Sequence, residues 1–393
     1  MRSERWVVLA LLFAARTTIA YQFQSVAAVG PLLVGSVISD FATLGALIGC
    51  YMLPGVALAF PGGMLDQRFG GRKILMFGLS LMAAGGGLMA VGGADFLFFG
   101  RILSGSGAAI LNVVLARAVG SWFAPGELAG VMGAFVASWP LGVALALVTL
   151  PAVMVSSGWT ALSLAALAPT LICLVLLGLF YKDGPEGKLV SPVDRRPRLS
   201  RQDFQLATVA GVIWGLYNVT YVVLVASLPE FFAQRGYAMA QAAAISSILG
   251  WALLVFLPVG GYVAQRIGSA TLMLSACFLL IAAGSILLAV TDWTVTAMSI
   301  LVVAIGLPAG AIMALPAQIL PPAQRPVGMG LYFTIFYLAM AALPGVAGIV
   351  REAADRVNAP ILFAGGTIML AWGAVLVLDR LRRPGATVAA PAA

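Results

Sequence analysis

The chain has 393 residues, 62% of them hydrophobic and only 9% charged, and its mean hydropathy is +1.04. Soluble domains carry about 25% charged and about 45–50% apolar residues, so an ordinary soluble fold is excluded. A spanning helix takes about 22 residues, and twelve would use about 264, leaving roughly ten for each loop and no room for a separate soluble domain.

The sequence holds no histidine. His-ligated metal and haem sites, Ser-His-Asp triads and His proton relays are therefore excluded, and no enzyme, metal or cofactor is expected. Cys50, Cys173 and Cys277 lie far apart in apolar runs and form neither a disulfide framework nor a CxxC zinc site. In a soluble protein the net charge of +8 would suggest nucleic acid. Here its distribution reports orientation in a bilayer instead, and no nucleic-acid partner is expected.

Apolar windows fall at 6–28, 41–61, 74–92, 96–116, 128–149, 159–181, 204–228, 240–262, 269–290, 294–316, 327–350 and 360–378. Each is long enough to cross a core of about 30 Å as a helix. The runs are continuous rather than alternating, which excludes a transmembrane barrel. The start, Arg2 and Arg5 before an apolar run, reads as the first spanning helix rather than a signal peptide, because the run continues past Arg16 to Val29.

An even number of spans puts both termini on one side. That side collects seventeen of the 22 Lys and Arg, the opposite side only Arg235, Arg351 and Arg356, and Arg16 and Arg101 lie inside spans. The bias makes the terminal side cytoplasmic. Arg is strongly preferred over Lys, which points to a GC-rich bacterium. A multi-pass protein of the bacterial cytoplasmic (inner) membrane is expected, surrounded by lipid and monomeric.

The longest polar stretch, 182–203, reads as a cytoplasmic linker between a six-helix bundle at 1–181 and another at 204–393. A shift of 198 residues lays Gly62-Gly63 on Gly260-Gly261, Gln67-Arg68 on Gln265-Arg266, Gly70 on Gly268, Pro31 on Pro229 and Gly130 on Gly328. The shared GGxxxQRxG string marks a duplication. The expected fold is an all-α membrane protein of twelve transmembrane helices in two pseudo-symmetric six-helix bundles, with a site between the repeats.

At this loop the sequence resembles the major facilitator superfamily, whose pattern is G-x-L-A-D-R-x-G-R-R. Gly63, Arg68, Gly70, Arg72 and Lys73 fit; Gln67 stands where the family has Asp, and Asp66 lies one residue earlier. Arg101 to Ala109 is similar to the family's fourth-span pattern R-x-x-x-G-x-G-A-A. Ser138-Trp139-Pro140-Leu141-Gly142 faintly echoes its antiporter motif. The resemblance implies alternating access, with Gly63, Asp66, Arg68, Gly70 and Arg72 in the conformational switch. It also implies that arginines in the first and fourth spans contact a substrate carboxylate.

Arg16 sits near the middle of the first span, where a bare charge costs at least about 2.5–3.5 kcal/mol. By these limits no Asp or Glu lies inside any span, so an anionic substrate is the expected counter-charge, the alternative being an Arg16 that bonds to backbone carbonyls or Asn112, or snorkels. Arg101 shares a helix face with Ser104, Gly105, Ala108 and Asn112. It is either a second clamp or a surface partner of Asp95 or Asp40. Trp214, Tyr217, Asn218 and Tyr221 follow i, i+3, i+4, i+7 spacing in the seventh span, and the first span offers Thr17, Tyr21 and Gln24 beside Arg16. Tyr332 and Tyr337 of the eleventh span suit packing, with Tyr337 kept as a candidate contact. The expected function is secondary active transport of a small anion, a carboxylate by preference; a proton could travel on the substrate or use Asp40 or Glu230 near the outer face, and exchange for a counter-anion or uniport stays open. The alternative is efflux of neutral or cationic drugs.

Overall fold

Unbroken apolar runs form helices because nothing but an intrasegment ladder satisfies the backbone in lipid. A computed structural model describes residues 2–58, 69–123, 131–132, 134–184, 199–321 and 324–382. Eleven of its helices are long and apolar enough to cross a membrane. One of them, Ala134–Phe180, has 47 residues, about 70 Å of helix against a bilayer core of about 30 Å. It breaks at Gly158, whose φ of 75° and ψ of −172° suit only glycine. Trp159 fixes the far side of the break by donating its indole N–H to Met89 O at 2.7 Å. The helix is thus two spans, and the fold is the expected twelve-helix membrane bundle.

The spans are α1 (Arg2–Ala27), α2 (Phe41–Leu58), α3 (Gly71–Val91), α4 (Ala94–Trp122), α5 (134–157), α6 (159–180), α7 (Arg201–Gln234), α8 (Met239–Ile267), α9 (Ala270–Val290), α10 (Thr294–Pro316), α11 (Arg325–Ala354) and α12 (Ala359–Arg382). The most extensive seams inside the first half join α3 to α4, α1 to the α5–α6 pair and α3 to that same pair. In the second half they join α7 to α12 and α11, and α9 to α12. The halves meet along α2 with α11 and along α8 with the α5–α6 pair. The end carrying both termini is tied by Lys182 to Glu4 at 3.7 Å and by Thr271 to Asp379 at 3.2 Å. The opposite end is called distal below.

Small residues let the halves close. A methyl group at Gly45, Gly49 or Gly348 would overlap the facing carbonyl of Pro344, Ala341 or Phe41. These three contacts bring α2 and α11 backbone to backbone toward the distal end, as lipid-embedded helices do where side chains are minimal. Asp40 caps α2: its carboxylate accepts from Thr43 N–H at 2.6 Å and from the Ser39 hydroxyl at 2.6 Å. The Ser39 hydroxyl, then the Thr43 N–H, holds this carboxyl below its ordinary pKa.

The apolar window places the end of the seventh span at 228, one residue before Pro229. The proline removes one backbone donor, but α7 continues to Gln234. Glu230 therefore lies inside a spanning helix and is only 8% exposed. The expectation that no carboxylate enters a span is corrected at this point.

Candidate functional site

The two arginines inside spans have different surroundings. Arg101 has no exposed surface. Its Nε donates to Leu47 O at 3.0 Å and its Nη2 to Ile48 O at 3.4 Å, while Nη1 donates to Gln22 O at 3.1 Å and Phe23 O at 2.9 Å. Its guanidinium carbon lies 4.6 Å from the Tyr51 ring centroid. The local reason is a tight turn in α2. The N–H groups of Tyr51 and Met52 both turn to Gly49 O, so Leu47 and Ile48 O receive Arg101 where a regular helix would pair them with residues 51 and 52. Arg101 pins α4 to α1 and α2. With no exposed surface it offers no clamp to a ligand, and among the described residues it pairs with neither Asp95 nor Asp40; backbone carbonyls take four of its five N–H groups.

Arg16 is half-buried, fourteen residues from the start of α1, about 21 Å along a helix of about 39 Å. Its Nη1 donates to Phe135 O at 3.3 Å, and its guanidinium lies 5.0 Å from the Phe135 ring centroid. Among the described residues no carboxylate pairs with it. Tyr337 of α11 is within electrostatic range of Arg16 and within side-chain hydrogen-bonding reach of Asn112 of α4. The Tyr337 ring meets Phe336 at 5.0 Å, and Phe336 meets Trp214 of α7 at 6.0 Å. Arg16, Asn112 and Tyr337 are thereby brought together across the seam between halves, with Phe135, Phe336 and Trp214 as an aromatic border.

The other candidates lie elsewhere. Tyr217 is buried in the second half and donates its hydroxyl to Ile305 O at 2.6 Å; its ring stacks between Trp214 and Phe278. Asn218 donates to Trp214 O at 2.8 Å within its own helix. Tyr21 shares a 2.7 Å hydrogen bond with Thr149 of α5, inside the first half. Gln24 and Tyr221 are buried, and among the described residues the Gln24 Nε2, Tyr221 hydroxyl and Trp214 Nε1 atoms have no hydrogen-bond partner. Tyr332 is fully buried beneath Trp214, as packing requires.

Of the expected switch loop, Gly63, Asp66 and Arg68 lie outside the described residues. Gly70 has a φ of 88°. The Arg72 N–H donates to Asp183 Oδ1 at 3.0 Å, and its guanidinium donates to Gly178 O. This ties the start of α3 to the end of α6.

Phe135 and Phe336 are absent from the sequence-derived site, as is the distal pair Glu230–Arg351, of which only Glu230 was considered, as a proton carrier near the outer face. The phenylalanines carry no sequence signal that separates them from lipid-facing neighbours. The pair had one: an acidic residue one position after a proline that an apolar run brackets on both sides.

Twelve apolar helices in two halves, with a guanidinium near the middle of α1 that no carboxylate among the described residues pairs with, have the architecture of a polytopic membrane protein. The sequence profile of the Major Facilitator Superfamily matches residues 8–344 and 206–392, and the chain belongs to that superfamily. A bacterial homologue of the human lysosomal transporter Spinster, solved inward-facing and unoccupied, superposes with a TM-score of 0.80 at 14% identity, covering 97% of this chain and 98% of that one. A POT family transporter in complex with 5-aminolevulinic acid superposes with a TM-score of 0.75 at 15% identity, covering 95% and 96%. These likenesses establish the fold. The hexuronate transporter of Bacillus subtilis (strain 168) is 21% identical over 275 residues, which is 67% of this chain and 65% of that protein.

Proposed function

We propose that this protein is a secondary transporter that moves a small organic anion across a bacterial cytoplasmic membrane by alternating access. The observation that carries the reading is Arg16, a mid-depth guanidinium with a single carbonyl partner and no carboxylate among the described residues. Such a charge is costly in lipid, and a carboxylate can accept two parallel hydrogen bonds from its fork. Asn112 and Tyr337 would share the anion from the facing helices, and the Phe135, Phe336 and Trp214 rings would border its body. The likeness to a hexuronate transporter supports a sugar acid as the first candidate: one carboxylate for Arg16, and hydroxyls for the amide and phenol groups.

In this reading both termini are cytoplasmic, and the α2–α11 seam closes the outer side. Ligand bound to Arg16 on α1 and to Tyr337 on α11 would bridge the halves and favour their movement as a unit. Gly70 and Arg72, bonded to the end of α6, would belong to the cytoplasmic switch together with Gly63, Asp66 and Arg68. Arg101 would hold the first half rigid.

Uptake of radiolabelled glucuronate into proteoliposomes tests the reading. Arg16→Ala is expected to lose uptake while remaining monodisperse, and Arg16→Lys to keep part of it, because Lys supplies charge without the fork. Normal uptake by Arg16→Ala would remove the anion site.

A further inference from the structure

Glu230 is the only buried carboxylate among the described residues. Arg351 of α11 holds it with two donors on one oxygen, Nη2 to Oε1 at 2.8 Å and Nε to Oε1 at 3.2 Å. The same guanidinium lies 4.8 Å from the ring centroid of Phe41, the first residue of α2. The neighbouring Glu352 accepts the Phe41 backbone N–H at 2.7 Å. One residue of the first half is thus gripped twice by α11, and α11 is gripped by α7 through the ion pair.

The pair lies between two spaces. On one side is a gap of about 50 Å³, bordered by Pro31, Phe41 and Ile48 as well as the pair, room for one or two waters at about 30 Å³ each. On the other is a polar vestibule of about 620 Å³ at the distal end, lined by Arg351 with Gln234, Arg235, Asp355 and Arg356. Arg351 lines both spaces and Glu230 the gap alone, so the guanidinium separates the carboxylate from the distal vestibule.

The geometry points to Glu230 as a proton-binding site whose occupancy opens the distal seal. Ionised, Glu230 fixes the Arg351 guanidinium over Phe41. Protonated, it can still accept a hydrogen bond but no longer balances the buried cation. Arg351 then has a second anionic partner, the fully exposed Asp355 carboxylate 3.9 Å away, and turning toward it takes the guanidinium off the Phe41 ring. The other charged groups around the pair are Glu352 on α11, Arg356 just beyond that helix, Asp40 capping α2 and Arg235 at the end of α7. Arg235 is engaged by Asp292 at 3.8 Å, and Asp40 by its own cap. Neither the 30–33 turn nor Pro360 brings a charge to the pair. The proton arrives from the distal side and returns to it, so the site sets how readily the seal opens and carries no proton across.

The inference rests on the alternating-access reading but needs no substrate, so an error in the substrate class leaves its test intact. Spin labels at Ser36 and Ala240, exposed distal positions on opposite halves, are placed in full-length protein lacking Cys50, Cys173 and Cys277 (each changed to Ala), in lipid nanodiscs. Pulsed-EPR distances are recorded between pH 5 and 8.5. The parent is expected to show a short distance at high pH, replaced by a longer population at low pH. Glu230→Gln is expected to show the longer one throughout. If Glu230→Gln is not recovered folded, Arg351→Gln must likewise abolish the response. A parent distance independent of pH, or a Glu230→Gln or Arg351→Gln variant that follows the parent's curve, overturns the inference.

Discussion

Replacing Arg101 by Met separates a structural arginine from a ligand-binding one. Met fills a similar length of core without charge or donors. Gln22 and Phe23 lie inside α1, where the helix supplies their carbonyls with other partners, so those two hydrogen bonds count for little. Leu47 and Ile48 O lie at the tight turn of α2, where Arg101 takes the place of the N–H groups of Tyr51 and Met52. A hydrogen bond from a charged donor is worth about 1.5–3 kcal/mol net, so losing these two should cost about 3–6 kcal/mol. For a protein of this size that is a fall of about 4–7 °C in melting temperature, readable by intrinsic fluorescence in detergent. Arg101→Lys, with three donors but no planar fork, should recover about half. An Arg101→Met variant that melts with the parent but no longer responds to ligand would refute the reasoning, because Arg101 would then be a clamp and not a brace.

Three further outcomes follow from named contacts. Gly49→Ala sets a methyl against Ala341 O; the strain of about 1–3 kcal/mol should loosen the α2–α11 seam, seen as faster maleimide labelling of a cysteine introduced at Ala347, which is buried on α11 beside the seam, in protein lacking Cys50, Cys173 and Cys277. Tyr337→Phe removes the hydroxyl beside Arg16 and Asn112 and should weaken anion binding about fivefold, a loss of about 1 kcal/mol, measured by calorimetry. Asp40→Ala removes the α2 cap at about 1 kcal/mol. Because the Asp40 carboxyl is held below its ordinary 3.8, its stabilisation is complete above about pH 4 and lost as pH falls through the lower folded value. Melting curves of parent and variant should therefore converge only below about pH 4.

Hydropathy carried most of the fold into the sequence. Apolar runs of spanning length, the charge asymmetry and the 198-residue repeat all follow from what lipid demands of a helix. Two boundaries escaped it. The stretch 150–158, which falls between two windows, continues α5 as far as Gly158, because nothing before that glycine obliges the helix to stop. The window ending at 228 stopped short of Pro229, yet a proline costs a helix only one hydrogen bond, and α7 runs on to Gln234. The site was legible where a residue type was itself improbable: a charge at mid-span singles out Arg16 with no knowledge of its neighbours. It was illegible where the partners are backbone. Arg101 is satisfied by carbonyls more than fifty residues away, and a carbonyl has no letter in the sequence, so clamp and brace look alike there. Tyr217 and Asn218 share a helical arc with Trp214, but periodicity does not say which neighbour each side chain meets.

The central claim, that Arg16 awaits an anion, is tested most directly by ligand-induced stabilisation of the purified protein beside Arg16→Ala. The panel holds glucuronate, simple mono- and dicarboxylates, inorganic anions and cationic dyes. A ligand at about 100 times its Kd adds about 2.7 kcal/mol to the folded state. The account predicts that one carboxylate class raises the melting temperature of the parent and leaves Arg16→Ala unmoved. Stabilisation by cationic dyes alone, or an equal response from both proteins, would contradict it.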